Sequence, residues 1–261
     1  MPNRTLVFIT TCKPVVGEQV LIQEQAIQSW KLLRGIPIKI VVVGNDEGVA
    51  KLCQENEVIH EPIVQNAHGV PRLRSMLELG YKHGSDEDIF VWTNSDMIYL
   101  QDLVATVRSV VTDQSKYFLC GRRWDWNKSK VDLSNLDIRQ VLKESRLHGE
   151  GGMDYIIHSK SSIIDGIPEG VLIAGNLHDG MLVSNACRDG IPTYDCTRTL
   201  TAIHQNHKMG WERDSESHKK RVENNETTTG GLRRLRRQSD MRQFTCWENG
   251  RINVRPSPRV R

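Results

Sequence analysis

The chain has 261 residues, 38% of them hydrophobic and 26% charged; that suits one large α/β domain, or one domain with a tail, able to bury a substantial core. A net charge of +3 is too small at this size to indicate a nucleic-acid partner. No apolar run approaches the roughly 20 residues of a membrane span, and the first, Leu6 to Thr11, lacks the long apolar core and cleavage site of a signal peptide.

The first half alternates strand and helix. Thr5 to Thr11 is apolar and β-branched and predicts a buried strand. After Pro14 and Gly17, apolar residues at Val20, Ile22, Ala26, Ile27, Trp30 and Leu33 fit one face of a helix. "IKIVVVGND" predicts a second buried strand, "VAKLCQEN" a short helix and "VIHEPI" a strand. "VPRLRSMLELGYKHG" predicts a helix with Pro71 near its first turn, and "DIFVWTNSD" a fourth strand with a polar end. Such alternation implies a largely parallel sheet, in which ligands bind beyond the carboxyl ends of the strands. Thr10, Thr11, Gly44, Asn45, Asp46 and Asn94 to Asp96 fall at such ends. No GxGxxG or Walker-type loop follows any strand.

The second half is less regular. "KYFLCGRRWDW" predicts a strand and an aromatic loop, "LSNLDIRQVLKESRL" a helix, and "GEGGMDYIIHSK" a glycine-rich entry into a strand. "NLHDGMLVSNACRDG" predicts a helix and "TYDCTRTLTAIHQNH" closing strands. From about Ser215 the sequence turns polar and Arg-rich, which sets a boundary between a domain over 1–212 and an extension over 213–261, partly helical or disordered. The six cysteines are scattered with no CxxC pair, as expected of buried free thiols in a reducing compartment.

Three features carry chemistry. In "IFVWTNSDMIYL" a rigid strand ends in Asn94, Ser95 and Asp96. A carboxylate there suits Mg²⁺ or Mn²⁺, with phosphate oxygens completing the shell; the plain alternative is an Asp in a turn. In "LTAIHQNH", His204 and His207 follow an apolar strand, and imidazole suits Mn²⁺. Three residues apart, both face one site only if the strand ends between them. In "NLHDGMLVSNA", Asp179 opens a helix, as a general base or as a simple cap. Trp124 and Trp126 of "RRWDWN" offer flat faces for stacking on sugars or anchors for the core, and Gly149 to Gly152 a mobile segment or a turn.

The ordered set "FITTCKP", "VPRLRSMLELG", "NSD", "GMDYIIHSK", "GNLHDGMLVSNA" and "LTAIHQNH" resembles small GT-A glycosyltransferases, and more loosely glycosyltransferase family 2, over roughly residues 5 to 210. The resemblance implies a GT-A fold with a mostly parallel central sheet flanked by helices, a UDP-, GDP- or dTDP-sugar donor, and Mn²⁺ or Mg²⁺. It implies Thr10 and Thr11 in the nucleoside pocket, Asp46 at the base or ribose, Arg74 facing the diphosphate, and Asn94 and Ser95 beside the donor. Asp96, with His204 or His207, would bind the metal, and Asp179 would be the base of an inverting displacement. The usual Asp-x-Asp reads Asn-Ser-Asp here, which keeps the last carboxylate. The acceptor would be a glycan, a lipid-linked group or a protein, and the location cytoplasmic. The run "GLRRLRRQ" would give peripheral membrane contact if the acceptor is lipid-linked. The rival readings are a non-catalytic nucleotide-sugar-binding protein, which Asn94 favours, a nucleic-acid-associated protein using "GLRRLRRQ" and the Arg-rich terminus on phosphates, which the balancing acidic residues disfavour, and a nucleotidyltransferase, which the missing glycine-rich loop disfavours.

Overall fold

Strand β1 (Leu6–Thr10) is buried along its whole length, because apolar layers cover both sides of it. Leu6 and Phe8 point into one layer, Val7 and Ile9 into the other; strand side chains alternate between faces. The computed structural model describes residues 4–112, 115–128, 130–207, 215–230, 237 and 240–258.

The remaining elements are, in chain order, α1 (Glu18–Lys31), β2 (Ile38–Val43), α2 (Val49–Glu55), β3 (Ile59–Glu61), β4 (Asn66–Ala67), β5 (Val70–Pro71), α3 (Leu73–Tyr81), β6 (Ile89–Thr93), β7 (Met97–Tyr99) and α4 (Asp102–Val110). They continue with β8 (Phe118–Cys120), β9 (Arg123–Trp126), α5 (Ile138–Glu144), β10 (Arg146–Leu147), β11 (Tyr155–His158) and α6 (His178–Arg188). Last come β12 (Thr193–Asp195), β13 (Ala202–Gln205), α7 (Glu216–Thr228), β14 (Gln243–Glu248) and β15 (Arg251–Pro256).

Among the described residues, nine strands form the central sheet in the order β15-β14-β12-β8-β11-β6-β1-β2-β3. Neighbours run parallel except at β11, which opposes both β6 and β8, and at the final β14–β15 hairpin. This is the mostly parallel, helix-flanked sheet expected from the alternating first half.

One layer takes Ala26, Ile27 and Trp30 of α1, Leu33 just after it, and Leu103, Val104 and Val107 of α4. Trp30 stacks on Phe8 with ring centroids 4.8 Å apart. The other layer takes Leu73, Met76 and Leu77 of α3 and Met181, Leu182 and Val183 of α6. Gly80 lets α3 lie directly on β1, since a Cβ there would strike the Ile9 side chain. A small second sheet, β10-β9-β13-β7, branches off where the chain leaves β6.

Three expectations need correction. Pro71 belongs to the small β4–β5 hairpin, and α3 starts after Arg72. The expected helix over 133–147 is a short 3-10 turn followed by α5 and β10. The C-terminal part is no loose extension in its described residues: β14 continues the central sheet, parallel to β12, with Tyr194 opposite Gln243. The boundary at 212 therefore cuts through the sheet. Polar composition hid these strands because β15 is an edge with one face largely exposed.

All six cysteines are free, five of them buried and Cys246 partly exposed. No helix among the described residues is long and apolar enough to cross a membrane. Most of the basic run "GLRRLRRQ" lies outside the described residues.

Candidate active site

Asp96 stands where the two sheets part. The chain runs up β6, turns through Asn94 and Ser95, and leaves as β7, which pairs with β13. The Gln205 N–H donates to the Asp96 carbonyl at 3.1 Å, so the turn is tied to the end of β13. In that pairing His204 lies opposite Met97 on one side and Asp125 on the other. The strand ends at Gln205, which frees His207 to turn back toward the same carboxylate.

Asp96 is almost fully buried, at 3% exposure. Its Oδ2 lies 3.1 Å from His207 Nε2 and 3.6 Å from His204 Nε2. The Lys13 ammonium lies 3.0 Å from the same oxygen and 3.1 Å from His207 Nε2. Burial alone would push the carboxyl pKa up, but Lys13 and the hydrogen bonds from both histidines outweigh it and hold Asp96 well below the usual carboxylate range. Burial pushes His204 down, yet its hydrogen bond to Asp96 and that carboxylate's charge raise it on balance.

The cluster fits a divalent cation. One ligand atom each from Asp96, His204 and His207 lie within 4.8 Å of one another. Asp96 Oδ1 is buried and has no hydrogen-bond partner among the described residues. His204 turns its other nitrogen, Nδ1, to Asn206 Oδ1 at 2.9 Å and to Asp125 Oδ1 at 3.4 Å. Such outer contacts fix the ring and leave Nε2 as the ligand atom.

Lys13 itself is held by Gln23 of α1, which is fully buried. Gln23 Oε1 accepts the Lys13 N–H at 2.9 Å, and its amide donates to the Lys13 carbonyl at 3.1 Å.

Asp154 and Arg123 line the next part of the site. Arg123 joins Asp154 and Asp125, and Asp125 also takes His148 Nδ1 at 2.6 Å. Asp154 Oδ1 accepts from Asn94 Nδ2 at 2.7 Å. Burial raises the Asp154 pKa, Arg123 only partly offsets that, and the charges of Asp96 and Asp179 push it further up. Asp154 thus feels both the cation cluster and the start of α6.

Asp179 lies in the first turn of α6, with His178 Nε2 at 3.1 Å from its Oδ1. His178 packs edge-on against Trp92. Burial lowers the His178 pKa, but the Asp179 charge and hydrogen bond raise it on balance. The segment before α6 is strained: Ala174, Asn176 and Leu177 all have positive φ, an uncommon state for residues with a side chain. Fully buried Asn225 of α7 holds this segment. Its Nδ2 donates to the carbonyls of Leu172 and Asn176 at 2.8 and 3.1 Å, and its Oδ1 accepts the Leu172 N–H at 2.8 Å. Gly175 allows the approach, since a Cβ there would meet the Arg221 carbonyl and the Asn225 amide.

Asp96, His204 and His207 come together as expected. Thr10 does not line a pocket: it is fully buried and its Oγ1 donates to the Thr93 carbonyl at 2.7 Å. Ser95 is also buried and donates to Gln23 Oε1 at 2.9 Å, so it supports the turn. Asn94 is exposed and paired with Asp154. Thr11 and Asp46 stay at the carboxyl edge of β1 and β2, with Asp46 exposed. Arg74 pairs with Glu78 at 3.0 Å and donates to the Ile167 carbonyl, contacts that engage it away from the cation cluster.

The aromatic loop divides by strand alternation. Arg123 and Asp125 face the site, whereas Trp126 is buried among Ile98, Val131, Val141 and Ile203, leaving it no free stacking face. Gly149 to Gly152 form a turn. Lys13, Arg123, Asp125 and Asp154 escaped the sequence reading. Lys13 sits in "FITTCKP" just past a strand end, which is a usable signal; the other three depend on pairings between distant strands.

No protein-family model matches this sequence, and no curated protein matches it. The fold is similar to the glucosyl-3-phosphoglycerate synthase of Mycobacterium tuberculosis in complex with Mn²⁺, UDP and glucosyl-3-phosphoglycerate. There the identity is 14%, the TM-score 0.47, and the coverage 98% of this chain and 89% of that one. It is also similar to a mannosyltransferase from Pyrobaculum calidifontis in complex with GDP-Man and Mn²⁺, at 14% identity and TM-score 0.47, covering 80% and 58% of the two chains. A 4-diphosphocytidyl-2C-methyl-D-erythritol synthase is similar at 10% identity and TM-score 0.45, covering 84% and 98%. At these values the likenesses say nothing of the reaction, which has to be argued from the site.

Proposed function

We propose that this chain is a metal-dependent glycosyltransferase that moves a sugar from a nucleoside-diphosphate donor to an acceptor hydroxyl, with inversion. The carrying observation is the Asp96–His204–His207 cluster at the carboxyl end of β6, with Asp154 beside it feeling the charges of both Asp96 and Asp179, the carboxylate in the first turn of α6. In a parallel sheet this is where ligands bind.

Asp96, His204 and His207 would hold the ion. Two imidazoles with one carboxylate favour Mn²⁺ over Mg²⁺, which prefers oxygen ligands. A cation there offsets the charge developing on a departing diphosphate. Asp179 accepts the proton of the attacking hydroxyl, a contribution of roughly 10²- to 10⁴-fold. His178 orients that carboxylate. Arg123 balances Asp125 and Asp154, so that those carboxylates do not repel an anionic donor.

Thermal-shift titration against UDP-, GDP- and dTDP-sugars, with and without Mn²⁺, tests the donor pocket, because a ligand of the folded state raises its stability. The expected result is a shift with one nucleotide class that needs Mn²⁺ and disappears in Asp96→Asn, together with slow donor hydrolysis. A metal-dependent shift without hydrolysis or transfer favours the second reading, a nucleotide-sugar-binding protein. The observation behind that reading is Asn94, which is engaged by Asp154 where the Asp-x-Asp pattern has a carboxylate.

A further inference from the structure

Lys13 Nζ, Asp96 Oδ2 and His207 Nε2 form a triangle with sides of 3.0, 3.1 and 3.1 Å. Only two of the three sides can be hydrogen bonds at one time. His207 Nε2 either carries a proton and donates to Asp96, or bears a lone pair and accepts from Lys13; it does not do both. What holds the triangle is the positive charge on Lys13 beside the carboxylate of Asp96, a residue that is 3% exposed.

Asp96 Oδ2 and His207 Nε2 also stand close enough together that one divalent ion could take both. The ammonium sits against the same two atoms that an ion would use. Lys13 is also built to leave. Its backbone is clamped on both sides by Gln23, while its side chain keeps 35% exposure and has four rotatable carbons.

We propose that Lys13 is an exchangeable internal cation: its ammonium neutralises Asp96 until a divalent ion takes Asp96 and His207, and it then swings toward solvent. This rests on the reading of Asp96, His204 and His207 as the ion's ligands. Lys13 and the ion compete for one carboxylate, so the site is charge-balanced in both states, and ion affinity is reduced by the lysine's own hold on Asp96.

The test is Mn²⁺ binding to the full chain without any donor, followed by the electron paramagnetic resonance signal of free Mn²⁺ at one fixed pH. Lys13→Met is expected to bind Mn²⁺ at least about tenfold tighter than the unsubstituted protein, and Asp96→Asn to lose binding. Equal or weaker binding by Lys13→Met, with Asp96→Asn still defective, overturns the exchange and leaves the metal site standing. Absence of Mn²⁺ binding in both the unsubstituted protein and a folded Lys13→Met removes the metal reading and this inference with it.

A second measurement needs no lysine variant. Acetylation of the Lys13 amine by an amine-reactive ester, read by peptide mass spectrometry, is expected to be faster with Mn²⁺ than with chelator, and indifferent to Mn²⁺ in Asp96→Asn. An unchanged rate in the unsubstituted protein overturns the proposal even if Lys13→Met does not fold.

Discussion

Ser95 donates a 2.9 Å hydrogen bond to the Oε1 of Gln23, and the same oxygen accepts the Lys13 N–H. One fully buried side chain thus locks the loop after β1 to the turn after β6. Gln23→Leu keeps the bulk and removes both bonds, together with the amide's bond to the Lys13 carbonyl. It is expected to cost about 3 kcal/mol, since Ser95 and the half-buried Lys13 backbone lose their partner. Urea unfolding would measure it; a loss under about 1 kcal/mol would mean that the two loops do not depend on this link.

Asp179→Asn is expected to lower transfer by roughly 10²- to 10⁴-fold, with donor-induced thermal shifts retained. The split is the point of the experiment. If donor binding falls in parallel with transfer, Asp179 belongs to the donor pocket rather than to the acceptor hydroxyl.

The His178–Asp179 pair makes stability depend on pH. The folded-state pKa of His178 is raised above its ordinary 6.5, so its contribution is fully present below about pH 6.5 and is lost as pH rises through the folded value. The melting-temperature gap between the unsubstituted protein and His178→Gln should be widest near pH 6 and narrow toward pH 9. A gap that widens with pH would show that His178 is held as a neutral ring.

Asn225→Ala strips three hydrogen bonds from the strained segment before α6. A destabilisation of about 3 kcal/mol is expected, because the Leu172 and Asn176 backbone groups lose their partner. Because that segment aims Asp179, kcat should fall more than KM for the donor rises. Steady-state kinetics at a temperature where the variant stays folded would separate the two effects.

The strands and helices of the first half were legible because each carries one clear period, as β1 and α1 show. Asp96 was legible as a polar residue closing an apolar strand, and the two histidines by their place at the end of another; that both face Asp96 follows from β13 ending at Gln205, between them. Thr10 was misplaced because a strand end supplies buried and exposed positions alike, and only the partner, here Thr93, decides which. Arg123 and Asp125 became site residues through the pairing of β9 with β13, two segments some eighty residues apart, which local sequence does not report. Asn225 was hidden for another reason: it works through backbone groups of another segment, and its own polar helix looks like any solvated one.

The place of β14 has a consequence for how the protein is made. Synthesis runs from the amino end, so β12 emerges well before β14, its parallel neighbour. For that interval β12 is an uncovered flank with free backbone donors and acceptors, the kind of flank on which chains aggregate. Co-translational quality control would therefore meet this sheet at its most vulnerable in the interval after β12 and before β14.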